Sequence, residues 1–154
     1  MWTLAGHTQV VKRNVSLEKE LHVDVILSPA APVPTSAYSQ ALRIGDLVVT
    51  SGYLGTHPDG SGVVPGGLEA EARQALTNIK HVLEAAGCSM ADVIRINVSL
   101  TDVNRFANMD RICREFFRAP FPTRNTIGVK ELWGGAQVGF DVWAIKRQSS
   151  TAEQ

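Results

Sequence analysis

The sequence predicts an α+β layer architecture in the order ββαβαββ, a mixed sheet with two helices over one face. Three observations carry this. Apolar residues recur every three or four positions over Leu68 to Ala86 and again over Asn104 to Arg118, the spacing of amphipathic helices. Between them Val93 to Leu100 alternates, with Ile94, Ile96, Val98 and Leu100 set against Arg95, Asn97 and Ser99, the period of a half-covered strand. Two further segments of strand character, Arg124 to Val129 and Val138 to Ile145, close the chain.

Residues 1 to about 25 show no amphipathic period and read as an appended arm; the domain runs from 26 to 148, and 149–154 form a short tail. Pro29, Pro32 and Pro34 exclude helix from the stretch that follows the arm and leave an extended connector. A hairpin comes next, Tyr38 to Ile44 and Leu47 to Gly52 around a Gly45-Asp46 turn. His57 to Gly62 is turn chemistry, and Pro65-Gly66-Gly67 leads into the first helix, which Gly87 ends. Asp102 or Asn104 caps the second helix, whose inward side holds Phe106, Met109, Ile112, Cys113, Phe116 and Phe117. In the last strand Val142 and Ile145 fall on opposite faces, and an apolar sheet face that no helix covers is expected to meet another subunit.

Composition narrows the function. The chain has 154 residues, 44% hydrophobic and 19% charged, which suits one soluble domain. Fifteen basic residues balance fifteen acidic ones, so no net field draws it to nucleic acid or to an anionic membrane. No apolar run approaches a membrane span, and the N-terminal stretch has neither a secretory nor a transit pattern, so a cytoplasmic protein is expected. Cys88 and Cys113 stand in unrelated contexts and read as buried thiols. GxGxxG, P-loop, HExxH and GxSxG motifs are missing, and His7, His22, His57 and His81 are scattered. Neither a metal nor an organic cofactor is expected.

The strongest chemical signal is Pro120-Phe121-Pro122-Thr123-Arg124. Pro122 biases Phe121 toward an extended backbone, so Arg124 enters its strand from a stiff approach with little freedom to lose. A guanidinium held that way offers planar donors matched to the two oxygens of a small carboxylate. An ion-paired surface arginine is the plainer alternative. Downstream, Asp141 is the single acid of an apolar strand, flanked by Phe140, Val142 and Trp143. Such a carboxylate is either paired locally or put to use.

Several motifs in order then give a resemblance: Ala37-Tyr38-Ser39-Gln40-Ala41, Thr50-Ser51-Gly52, Ala75-Leu76-Thr77-Asn78-Ile79, Leu83 to Gly87, Val98 to Phe106, Phe116-Phe117 and Pro122-Thr123-Arg124. Over about Ile26 to Ile145 the chain resembles the RidA/YjgF family of imine deaminases, also called L-PSP endoribonucleases. The resemblance implies a chorismate-mutase-like fold assembled as a homotrimer with clefts between subunits. It implies that Arg124 clamps the carboxylate of a small 2-imino acid, that Tyr38, Ser51 and Gly52 line the cleft, and that an acid in the last strand holds the attacking water. The sequence departs from the family at that acid, where Gly139 stands. Asp141 matches a second acid two residues on, on the same face of the strand, and is the candidate substitute. Thr126, Tyr53, Asp110 and Cys113 replace residues that the family commonly has as cysteine, glutamine, asparagine and tyrosine. Changes around one cleft predict a different pocket, and a non-catalytic module that binds small carboxylates is the alternative function.

Overall fold

The computed structural model describes residues 22–147. Its first element is β1 (Val23–Ile26), which pairs antiparallel with β2 (Ala41–Ile44). The predicted arm therefore yields its last residues to the sheet, while the rest of it and the tail 149–154 lie outside the described residues. The proline-bearing connector between β1 and β2 holds no helix, but it is not extended throughout as expected: it turns at Pro29-Ala30, where Ala31 N donates to Ser28 O, and it is fastened by one buried side chain. Gln40 Oε1 accepts from Ser28 N at 2.6 Å, and Gln40 Nε2 donates to the Ser28 and Pro32 carbonyl oxygens at 3.0 and 2.9 Å. These bonds use Gln40 as a post, so β2 begins at Ala41 and not at the predicted Tyr38.

The hairpin partner of β2 is β3 (Leu47–Thr50), turned by Gly45 at φ +61°. The chain then makes the two-residue strand β4 (Tyr53–Leu54), α1 (Leu68–Ala85), β5 (Val93–Leu100), α2 (Phe106–Phe116), β6 (Thr123–Gly128) and β7 (Val138–Ile145). Strand order is β1-β2-β3-β7-β5-β6, with β4 pairing β7; β5 and β6 run parallel and the other pairs antiparallel. This is the predicted α+β mixed sheet, with β1 and β4 added.

One face of the sheet packs under the helices. Leu76, Ile79, Val82 and Leu83 of α1 are fully buried against Val48, Val98, Phe140, Val142 and Ala144. Each such aliphatic side chain contributes about 1.5–3 kcal/mol of burial, and Leu76→Ala would cost about 2–5 kcal/mol. Gly87 stops α1 at φ +74°, with its N–H bonded to Glu84 O and that of Cys88 to Leu83 O. Asp102 caps a 3₁₀ turn ahead of α2, accepting from Asn104 N at 3.0 Å, so the second helix proper is shorter than predicted. Cys88 and Cys113 are buried, unpaired thiols.

Among the described residues no helix covers the other face. There Val25, Leu42, Val49 and Trp143 stand in register across β1, β2, β3 and β7, and Val25 (67%) and Trp143 (42%) are well exposed. Val142 is buried and Ile145 is exposed, on the opposite faces expected of them. No helix of the described residues is long and apolar enough to cross a membrane.

Candidate functional site

β6 is the edge strand beyond β5, and register sets the direction of each of its side chains. Arg124 lies beside Ile96 and Thr126 beside Val98, both buried residues of the helix-covered face, so Arg124 and Thr126 project toward α2. The Phe121-Pro122 approach brings Arg124 to the outer flank of that helix. There its Nη1 donates to Asp110 Oδ1 at 2.7 Å, and its guanidinium carbon lies 4.9 Å from the centroid of the Phe106 ring. Arg114 Nε donates to the other oxygen, Asp110 Oδ2, at 3.0 Å. The hydrogen bond from Arg124 is the main cause that holds the Asp110 carboxyl below its usual range; burial opposes it and Arg114 assists.

Arg124, Asp110 and Arg114 rim a cleft of about 190 Å³ whose apolar walls are Ile96, Phe117, Phe121 and Pro122. Cys113 sits in it as a thiol pushed up to about 11, chiefly by burial, and so is a neutral wall at physiological pH. The Arg124 side chain keeps 29% of its surface open. A small, partly apolar cleft with a fixed guanidinium at its rim is suited to an organic anion of a few carbons. Asp110 thus accompanies Arg124 in the cleft, whereas Thr126 shares its face of β6 outside the cleft lining, and the Thr126 hydroxyl is buried with no hydrogen-bond partner among the described residues.

Asp141 does not accompany Arg124. It stands opposite Asn97 on β5, whereas Arg124 stands beside Ile96. Ile96 and Asn97 are consecutive residues of one strand, so Arg124 and Asp141 project from opposite faces of the sheet. On its own face Asp141 Oδ1 accepts from Asn97 Nδ2 at 2.7 Å, and Asn97 Oδ1 accepts from Arg95 Nε at 3.2 Å. Gly139 shares that face, beside Ser99, where a Cβ would meet Leu54 Cδ2 at 3.0 Å and Leu132 Cδ1 at 3.9 Å.

The remaining predicted residues gather where β3 passes into β4. Ser51 Oγ donates to Ser39 O at 2.6 Å, and Ser51 N donates to Gln40 O. Gly52 links this turn to Tyr53, and Tyr38 is half exposed nearby. Tyr53 faces inward opposite Phe140; its hydroxyl is buried without a partner, and burial is the main cause that raises its pKa. Among the described residues no three His, Cys, Asp or Glu side chains come together as a metal-ligand set.

Sequence reasoning had turned Phe106 inward and had given Arg114 no part. A signal for both existed, since Phe106, Asp110 and Arg114 are spaced by four and share one flank of α2.

A mixed sheet carrying two helices on one face, with an arginine-rimmed cleft at its parallel edge, defines the class of α+β protein to which this chain belongs. The family model described as Endoribonuclease L-PSP matches residues 28–146. The chain belongs to this RidA/YjgF family. A 2-iminobutanoate/2-iminopropanoate deaminase of Dermatophagoides farinae is 41% identical over 114 residues, which are 74% of this chain and 89% of the relative. The enzyme of the same name from Bos taurus is 36% identical over 128 residues, 83% of this chain and 93% of its own. Among solved structures, RidA from an Antarctic Psychrobacter superposes with a TM-score of 0.76 at 35% identity, covering 79% of this chain and 98% of that one. E. coli TdcF with bound serine superposes with a TM-score of 0.76 at 31% identity, covering 80% and 99%.

Proposed function

We propose that this chain hydrolyses small 2-imino or enamine carboxylic acids to 2-keto acids and ammonium, acting as a homotrimer in the cytoplasm. The observation that carries this reading is Arg124, fixed by Asp110 and Phe106 at the rim of a cleft sized for a few carbons. Relatives named as imine deaminases, aligned over most of their length, supply the reaction. Water adds to the C=N carbon, the nitrogen takes up protons, and the C–N bond breaks to leave the ketone and ammonia. A guanidinium that fixes the carboxylate orients that carbon, and an acid close by can hold the water. Water is the only co-reactant, so no cofactor is called for.

The acid is Asp141 of a neighbouring subunit. Its place on the uncovered face, two residues along β7 from Trp143 of the apolar stripe Val25, Leu42, Val49 and Trp143, supports delivery across an interface rather than within one chain. Tyr38, Ser51 and Gly52 would line the same shared cleft. Balanced charge favours this reading over attack on RNA. So does the engagement of two histidines elsewhere, His22 with Asp24 at 2.9 Å and His81 with the Ala30 carbonyl oxygen at 3.0 Å.

One observation favours a second reading, a trimer that binds small carboxylates without turning them over. Position 139 carries no acid, and a side chain there would press on Leu54, whose Cδ2 lies 3.0 Å from the Cβ position. The two readings separate in one experiment. Imine is generated in place by an amino-acid oxidase, and its decay is followed with and without the purified chain. Faster decay that disappears in Arg124→Ala supports the deaminase. Saturable binding of the acid with decay no faster than in buffer supports the binding module.

A further inference from the structure

We infer that Asp110 selects ligands by the atom attached to the carbon next to their carboxylate, accepting a nitrogen that donates a hydrogen bond and rejecting an oxygen that only accepts. This deepens the reading of the cleft as a carboxylate site and rests on Arg124 being its clamp.

Asp110 receives Arg124 Nη1 on Oδ1 at 2.7 Å and Arg114 Nε on Oδ2 at 3.0 Å, and its side chain remains 22% exposed at the cleft. An ionised carboxylate has about four lone-pair positions and no proton to give. Two of them are occupied by the arginines, and the rest can meet a ligand. Because Arg124 already touches Asp110, a carboxylate that grips the same guanidinium brings its neighbouring carbon up to Asp110. An imine, iminium or amine there points N–H at the aspartate and completes a charge-assisted hydrogen bond. A keto oxygen there points lone pairs at lone pairs, with the ligand's dipole opposed to the aspartate's charge.

Substrate and product of the proposed reaction differ in this one atom. The nitrogen compound is therefore held and the keto acid expelled, which keeps product from occupying the clamp. An asparagine at 110, by contrast, could turn its amide to suit either atom. Discrimination of this kind can be large, because a site built to hydrogen-bond an N–H leaves its own polar group opposed when the N–H is missing.

The test uses a matched pair with the same side chain, 2-aminobutanoate and 2-oxobutanoate, titrated calorimetrically into the full-length chain. Wild type is expected to prefer the amino acid by about tenfold or more. Asp110→Asn and Asp110→Ala are both expected to bring the ratio under about threefold, with tighter binding of the keto acid. Arg124→Ala should lose both ligands. A wild-type ratio near one, or a ratio unchanged in both Asp110 variants while Arg124→Ala still abolishes binding, overturns the role of Asp110 and leaves the clamp standing. Equal binding of both ligands by Arg124→Ala and wild type, or binding of neither by wild type, overturns the clamp and this inference together.

Discussion

Gly139 of β7 stands in register with Leu54 of β4, and a Cβ at 139 would lie 3.0 Å from Leu54 Cδ2. A larger residue here would need no left-handed backbone, but it would need Leu54 to give way. Gly139→Glu is expected to destabilise the protein by about 1–3 kcal/mol in chemical denaturation, because Leu54 must move aside. Leu54→Ala should relieve much of that cost. The cycle would show a coupling of more than about 0.5 kcal/mol, whereas strict additivity would mean that the two residues do not compete for space.

Removing the guanidinium isolates the clamp. Arg124→Ala is expected to lower affinity for a small carboxylate by about 2–4 kcal/mol, with the far-ultraviolet circular dichroism of the wild type retained. Arg124→Lys should not restore it, since an ammonium cannot reproduce the planar pair of donors. Titration of 2-oxobutanoate and 2-aminobutanoate into the three proteins reads this directly, and full affinity in the lysine variant would contradict the forked geometry.

Opposite-face placement of Arg124 and Asp141 makes a sharper forecast. Asp141→Asn should bind the acid normally yet lose most turnover. Mixing Arg124→Ala and Asp141→Asn subunits after mild dissociation should recover activity, because some interfaces then pair an intact arginine with an intact aspartate. No recovery in verified mixed trimers would refute a shared site.

The depressed Asp110 carboxyl gives a pH signature. A group whose pKa is lowered on folding contributes stability that is complete above its unfolded value, about 3.9, and is lost as pH falls through the lower folded value. Wild type should therefore be more stable than Asp110→Asn at pH 6, and the gap should close on acidification below about pH 4. Urea midpoints at a series of pH values measure it; a gap that stays constant down to pH 2 would show that the carboxylate's charge is not the source.

Trp143 tests the uncovered face. It is 42% exposed in the single chain and flanked in register by Val49 and Arg95. Trp143→Glu should give monomers in sedimentation velocity while far-ultraviolet circular dichroism stays native. Persistence of trimers would move the interface elsewhere.

Much of this fold was legible because its longest elements repeat their pattern often enough to be read. Val93 to Leu100 and Val138 to Ile145 have the bounds the sequence predicted, and α1 differs by one residue. β1 was not legible: four residues before a run of prolines carry too little period, and their strand character comes from pairing with β2. Arg124 was found through its prolines and Asp141 through its apolar neighbours. What the sequence could not state was that they face opposite ways, because face follows from the register of β5 against β6 and β7, and register is fixed only when the strands meet. The partnership of Phe106, Asp110 and Arg114 could have been read from their spacing, had Phe106 not looked like one more core aromatic.

The split between the two faces of the sheet carries a consequence for how such an enzyme is controlled. If each lone polypeptide owns a grip on one side and a proton-handling group on the other, neither half works without company. Specific activity would then fall on dilution along with assembly, and a newly made or stranded copy would hold its ligand but leave it unchanged.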